Sequence, residues 1–96
     1  MRGEISYDLV MEDDMSFVEG AFRLPESAWQ VFIFMKRELD QPQARACRWD
    51  SGVTGVVVRY PRKAALKKSS VEAVLSSFLG IAEWDQVRGP DSMTLR

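Results

Sequence analysis

The first quarter of the chain alternates between apolar and polar residues, the pattern of a strand with one buried face. Residues 4–11 place these apolar side chains on one face: Ile5, Tyr7, Leu9 and Met11. The acidic run Glu12-Asp13-Asp14 interrupts the alternation, and Asp is frequent in turns because its side chain bonds nearby backbone N–H groups. Residues 15–22 then resume with strand-forming residues. This part of the sequence predicts a β-hairpin.

Residues 24–39 show helical spacing. The sequence Leu24-Pro25-Glu26-Ser27 is typical of a helix start, because Pro fits the first helical position and Glu favours the positive end of the helix dipole. One helical face would carry Ala28, Val31, Phe32, Met35 and Leu39. Residues 29–35 are also rich in strand-forming types, so a strand is the alternative. In both cases Trp29, Ile33 and Phe34 lie off the main stripe and need a second covering surface.

The second half of the chain predicts another hairpin and a second helix. Segments 44–49 and 53–60 flank Asp50-Ser51-Gly52, a three-residue loop with Gly in the favoured last position. Residues 69–80 predict a helix, with Ser69 and Glu72 as a capping box and Gly80 as the C-terminal cap. Residues 81–87 alternate again and predict a strand, and residues 92–96 form a short strand or a frayed end.

These elements give the order ββ-α-ββ-α-β(β). Hairpin connections favour antiparallel pairing. We therefore expect a single α+β domain over residues 1–96, with a small, mostly antiparallel sheet and two helices covering one of its faces.

The residue types present restrict the chemistry. The chain has no histidine and one cysteine, which excludes histidine-dependent catalytic triads and zinc sites built from Cys and His. Cys47 is predicted to be a small core residue, because a nucleophilic role needs a base or cation that lowers its pKa. Glu12-Asp13-Asp14 lacks the spacing of an EF-hand loop. We therefore predict no catalytic residue, no metal, no cofactor and no enzymatic activity.

The net charge of −1, from 13 basic and 14 acidic residues, conceals an uneven distribution. Residues 1–40 carry a net charge of −5, residues 41–70 carry +6 and residues 71–96 carry −2. Charge separated in this way creates local electrostatic fields even where the total is near zero.

The charge distribution and the apolar residues off the helical stripe define three candidate binding sets. The acidic set for a protein partner is Asp8, Glu12, Asp13, Asp14 and Glu19. The apolar set for a protein partner is Trp29, Ile33 and Phe34. The basic set, for nucleic acid or phosphate, is Arg45, Arg48, Arg59, Arg62, Lys63, Lys67 and Lys68. Each set also has a structural explanation, as a solvated surface or as core.

Small size, segregated charge and missing catalytic signatures favour a non-catalytic protein-binding module that inhibits, adapts or regulates a larger complex. One version is a phage or mobile-element inhibitor of nucleic-acid-handling machinery, of the anti-CRISPR type. The alternative is a nucleic-acid-binding protein that uses the basic segment 45–68. Unpaired sheet edges also allow a homodimer. With one cysteine and no signal peptide or membrane span in the sequence, we expect a cytoplasmic protein.

Overall fold

The computed structural model describes residues 2–50, 52, 54–62 and 64–96, which form eight strands and one helix. In chain order the elements are β1 (Arg2–Glu12), β2 (Met15–Arg23), β3 (Gln30–Arg37), β4 (Gln43–Arg48), β5 (Thr54–Pro61), β6 (Ala65–Lys67), α1 (Lys68–Leu79), β7 (Glu83–Arg88) and β8 (Ser92–Thr94). Strands β6 and β8 form a separate antiparallel pair, and the other six strands form one sheet.

The six-stranded sheet has the order β4-β5-β3-β2-β1-β7. Antiparallel pairs join β1 to β2, β2 to β3 and β4 to β5, whereas β3 pairs with β5 and β1 with β7 in parallel. The prediction of a mostly antiparallel sheet is therefore wrong, because the sheet is mixed. Two chain crossovers cause the difference: β5 inserts between β3 and β4, and β7 returns to the far edge beside β1.

One face of this sheet is covered and contains the core. Side chains from the sheet pack there against α1, the β6–β8 pair and the residue that follows β8. The buried cluster consists of Ile5, Tyr7, Val18, Phe22, Phe32, Phe34, Val56, Val58, Tyr60, Leu66, Val71, Leu75, Met93 and Leu95. Because strand side chains alternate between faces, every second residue of each strand remains on the opposite face.

Side-chain hydrogen bonds of Tyr7, Ser16, Tyr60 and Trp84 tie the covering layer to the sheet. The hydroxyl group of Tyr7 donates to the carbonyl oxygen of Pro90 at 2.6 Å, and burial raises the pKa of this phenol, with smaller contributions from Asp91 and Glu72. The indole Nε1 of Trp84 donates to Ser76 Oγ at 2.7 Å, which joins β7 to the helix. The sheet and its covering layer therefore meet through polar contacts as well as apolar ones.

Residues 30–37 form strand β3 and not the first of two predicted helices. The fold class is therefore corrected: the helix expected over residues 24–39 is absent, and α1 is the helix of the described residues. The physical reason is that β3 lies inside the sheet, in third position, where apolar side chains are needed on both faces of the strand. Phe32 and Phe34 point into the core, and Val31, Ile33 and Met35 point to the other side.

The sequence Leu24-Pro25-Glu26-Ser27 forms a turn and does not start a helix. The backbone N–H of Ser27 donates to the carbonyl oxygen of Leu24 at 3.1 Å, and Glu26 has a positive φ of 66°. Pro before a residue with positive φ is the arrangement of a type II turn. A left-handed residue cannot continue an α-helix, so Pro25 begins a reversal of the chain here.

The predicted helix over residues 69–80 is confirmed as α1, and its C-cap Gly80 has the left-handed φ of 71° that a terminal glycine supplies. The predicted capping box of Ser69 and Glu72 is wrong. The N-cap is Lys67, and its side chain makes no capping hydrogen bond. The helix begins one residue earlier than expected because β6 runs directly into it.

The other predicted strands are present, with small shifts of their ends. The first hairpin corresponds to β1 and β2, the second to β4 and β5, and the last two segments to β7 and β8. Gly52 has the predicted left-handed φ, of 81°. Ser51 of the predicted loop, Val53 of the predicted strand and Lys63 of the basic set lie outside the described residues. Strand β6 was not predicted.

Candidate functional site

The turn of the first hairpin carries a compact set of exposed acidic and apolar side chains, which we call the hairpin tip (residues 11–15). Glu12 and Met15 form the last pair of β1 and β2, so Asp13 and Asp14 make the connection. All five side chains are exposed, with Met11 at 47% and Met15 at 66%. The tip therefore presents three carboxylates between two flexible thioether side chains.

Asp13 has a left-handed backbone with φ of 52°. Asp and Asn adopt this conformation more readily than most residues, although glycine does so at lower cost. The hairpin thus has an acidic residue at the one described tip position where a glycine would relieve backbone strain. The tip thus combines backbone strain at Asp13 with a run of acids whose mutual repulsion lowers stability. These two unfavourable features mark the tip as a candidate for binding.

The hairpin tip is not paired with either neighbouring strand. Pairing of β2 with β3 ends at Phe17, and pairing of β1 with β7 ends at Ser6. Within the described part of the chain, no ion pair involves a tip carboxylate. The tip is therefore accessible from several sides, with its charges free for an external partner.

The remaining two acids of the predicted set lie away from the tip. Asp8 and Glu19 are directly opposite each other on β1 and β2. Both point to the face of the sheet that α1 does not cover, which we call the open face. One oxygen of Asp8 accepts the backbone N–H of Leu9 at 2.8 Å. Like charges directly opposite in a sheet destabilise it, so this pair has a cost in the isolated chain.

The predicted apolar set is divided between the core and the surface. Phe34 is fully buried in the core, so its assignment to a partner interface is wrong. Ile33 points to the open face from the middle of β3. Trp29 is 50% exposed in the connection before β3, and the guanidinium carbon of Arg23 lies 5.9 Å from its ring centroid. Ile33 and Trp29 therefore remain available at the surface.

The predicted basic set does not converge on one surface. Arg45 and Arg59 are diagonal neighbours on the open face, because Arg45 is opposite Val57 in the β4–β5 pair. Arg48 is the last residue of β4, and its side chain points to the face of the sheet opposite to that of Arg45. The rest of the described set lies beyond β5: Arg62 pairs with Glu38 at 3.0 Å, Lys68 pairs with Asp91 at 3.3 Å, and Lys67 is exposed at the start of α1.

The open face carries an apolar band that was not predicted from the sequence. Side chains along β3 and on its two neighbouring strands form it, and all are half-buried: Phe17, Val31, Ile33, Met35 and Val57. Trp49 extends this surface, because its indole ring lies directly over Gly55 on β5. The available signal was that residues 31–35 are apolar on both faces, which indicated a second covering surface.

Cys47 also belongs to the open face. It is opposite Gly55 on β5 and is partly exposed, so the prediction of a core cysteine is wrong. The predicted shared face with Arg45 is confirmed by their spacing on β4. Across the described residues, no group of three or more His, Cys, Asp or Glu side chains is arranged to hold a metal ion.

Comparison with protein-family models, with curated proteins and with solved structures finds no match to this chain. In the part of the chain that the structure describes, no helix has the length and apolar character that crossing a bilayer requires.

Proposed function

We propose that this protein is a small non-catalytic binding module that regulates a larger protein, by inhibition or by bridging, and that it docks through the hairpin tip. The observation that carries the proposal is the exposed Met11–Met15 segment, in which three carboxylates between two exposed methionines form no ion pair with any described residue. Methionine is a frequent component of adaptable binding surfaces because its side chain is flexible and polarisable.

The chemistry of the tip defines the partner surface. Three adjacent carboxylates favour a basic groove, and the flanking methionines favour apolar pockets at its margins. Basic grooves are the binding sites of proteins that handle nucleic acid. The tip would occupy such a groove by presenting carboxylates in place of phosphates, and the single free cysteine suits action in the cytoplasm.

The test is affinity capture from the native host with three versions of the immobilised protein. The tip variant Asp13→Asn/Asp14→Asn removes two charges, and Asn retains the left-handed backbone at position 13. The control Asp40→Asn/Asp50→Asn removes the same charge from exposed positions outside the strands. We expect the wild-type and control proteins to capture a partner, and this capture should persist after nuclease treatment. The tip variant should retain roughly tenfold less of the same partner.

Two results would contradict the proposal. Equal capture by wild type and tip variant would exclude the tip as the docking element. Capture that disappears with nuclease would instead favour the alternative, binding of nucleic acid through Arg45 and Arg59, the two basic residues that the open face brings together.

A further inference from the structure

Across its middle, the open face is divided into an acidic side, an apolar band and a basic side, whereas Arg23 and Arg88 lie on the same side as the acids but farther from the hairpin tip. One row of paired residues shows the division: Asp8 is opposite Glu19, Glu19 is opposite Ile33, Ile33 is opposite Val57, and Val57 is opposite Arg45. The row therefore runs from two carboxylates through two aliphatic side chains to a guanidinium group. In the next row, Phe17, Met35 and Arg59 continue the band and the basic side.

Among the described residues, the charged side chains of these two rows have no ion-pair partner. In the described structure the ion pairs join Arg2 to Glu83 and Asp85, Arg62 to Glu38, and Lys68 to Asp91. None of them includes Asp8, Glu19, Arg45 or Arg59. Asp8 and Arg45 lie on strands that are four positions apart in the sheet, roughly 19 Å at the usual strand spacing. Asp8 and Arg45 are therefore too far apart to neutralise each other within one molecule.

This arrangement is complementary to itself under one particular symmetry. A two-fold axis parallel to β3, placed between two facing sheets, exchanges the two sides of the face while preserving strand direction. It places β1 of one copy over β4 of the second, and β2 over β5. Asp8 then faces Arg45 of the second copy, and Ile33 lies beside its own symmetry mate. Glu19 comes within reach of Arg59 of the second copy.

We propose that the open face binds a second copy of this chain, in a two-fold dimer whose axis runs along β3. The interface is an aligned packing of two sheets, with the apolar band in the centre and two symmetric sets of ion pairs at the sides. Central apolar contacts with charged contacts around them are the usual composition of a protein interface.

The size of the face is adequate for this role. Five strands with about eight residues each cover roughly 24 by 26 Å, or about 600 Å² before surface roughness is counted. Specific interfaces bury about 800 Å² on each partner, and rough surfaces bury more than their projected area. The dimer leaves the hairpin tip free, because the tip projects beyond the paired rows. The proposal therefore does not depend on the proposed function.

The test uses purified protein and two opposite charge-reversal variants. Asp8→Lys/Glu19→Lys makes the face basic on both sides, and Arg45→Glu/Arg59→Glu makes it acidic on both sides. Like-charge repulsion should weaken self-association of each variant by roughly 100-fold. A 1:1 mixture of the two variants should form a heterodimer, because a basic face then meets an acidic one.

Sedimentation equilibrium measures these states, and circular dichroism confirms that each variant is folded. Asp40→Lys/Asp50→Lys is the matched control, since it has the same charge change as the basic variant at exposed positions outside the strands. The control should remain dimeric. A monomeric wild-type protein at about 100 µM, far above a low-micromolar Kd, would overturn the proposal and leave the face to a different partner. Self-association that is equal in all variants would also overturn it.

Discussion

Gly20 allows the ring of Phe32 to lie directly against strand β2. A Cβ atom at position 20 would meet the Phe32 ring and would lie 2.7 Å from the carbonyl oxygen of Ser6. Phe32 is opposite Gly20 in the β2–β3 pair and is fully buried. A missing side chain on one strand is thus filled by an aromatic ring from the next, which stabilises the core at that position.

The substitution Gly20→Ala should destabilise the protein. The added methyl group must displace a ring that is packed on all sides, an overpacking cost of about 2 kcal/mol. For a domain of this size the expected fall in Tm is roughly 10 °C. Thermal unfolding followed by circular dichroism measures it. Adding Phe32→Leu to Gly20→Ala should recover part of the loss, because a smaller side chain vacates the space. An unchanged or higher Tm for Gly20→Ala would refute this account.

At the scale of elements, helix α1 begins without the features that usually stabilise a helix start. Lys67 is the N-cap, with φ of −98° and ψ of 157°, and its side chain makes no cap. Lys68 follows it, so two cations lie at the positive end of the helix dipole, where they are unfavourable. The backbone of Lys67 already has the extended conformation that a capping Ser or Asp adopts.

Lys67→Ser should therefore stabilise the protein by about 1 kcal/mol, through a new capping bond and the loss of one cation. Urea denaturation measures the change in the free energy of unfolding. Lys67→Ala is the control, because it removes the same charge from the same position and Ala supplies no cap. If Lys67→Ser proved less stable than wild type, the uncapped start would have to be attributed to contacts of the lysine side chain.

The elements that the sequence predicted correctly are those with a local signal. The alternation in β1 and the apolar spacing before Gly80 in α1 each have one interpretation. Strand β3 does not, because its residues are apolar on both faces, a pattern shared by buried helices and buried strands. Only the place of β3 in the sheet distinguishes the strand from the helix. The Ser69 and Glu72 spacing also fits a capping box, but β6 runs directly into α1, so the helix starts before Ser69.

At the scale of the whole molecule, the charge division along the chain becomes a division across one surface. The sequence predicted an acidic and a basic segment, and the alternation in β1 already placed Asp8 opposite its core-facing neighbours. The sequence alone could not show that Glu19 and Arg59 share a face with an apolar band between them. That arrangement arises from long-range pairing, because β3 and β5 adjoin in parallel although β4 separates them in the chain.

A dimer through this face has a measurable effect on the stability of the whole molecule. A partner that binds only the folded state stabilises it by mass action, so the Tm of the wild-type protein should rise with its concentration. For a domain of this size we expect roughly 3–5 °C for each tenfold increase. Calorimetry at three concentrations measures the slope. The Asp8→Lys/Glu19→Lys variant should show none, and a slope shared by both proteins would point to association elsewhere.

The parallel course of the proposed axis and β3 has a geometric result for the hairpin tip. Because such an axis preserves strand direction, the tips of both copies project from the same end of the dimer, roughly 15–20 Å apart. A partner with two closely spaced basic sites would then bind both hairpin tips of one dimer. Two linked contacts of this kind can raise the overall avidity by roughly 10²–10⁴ over a single contact. A weak individual tip contact would be sufficient for firm attachment.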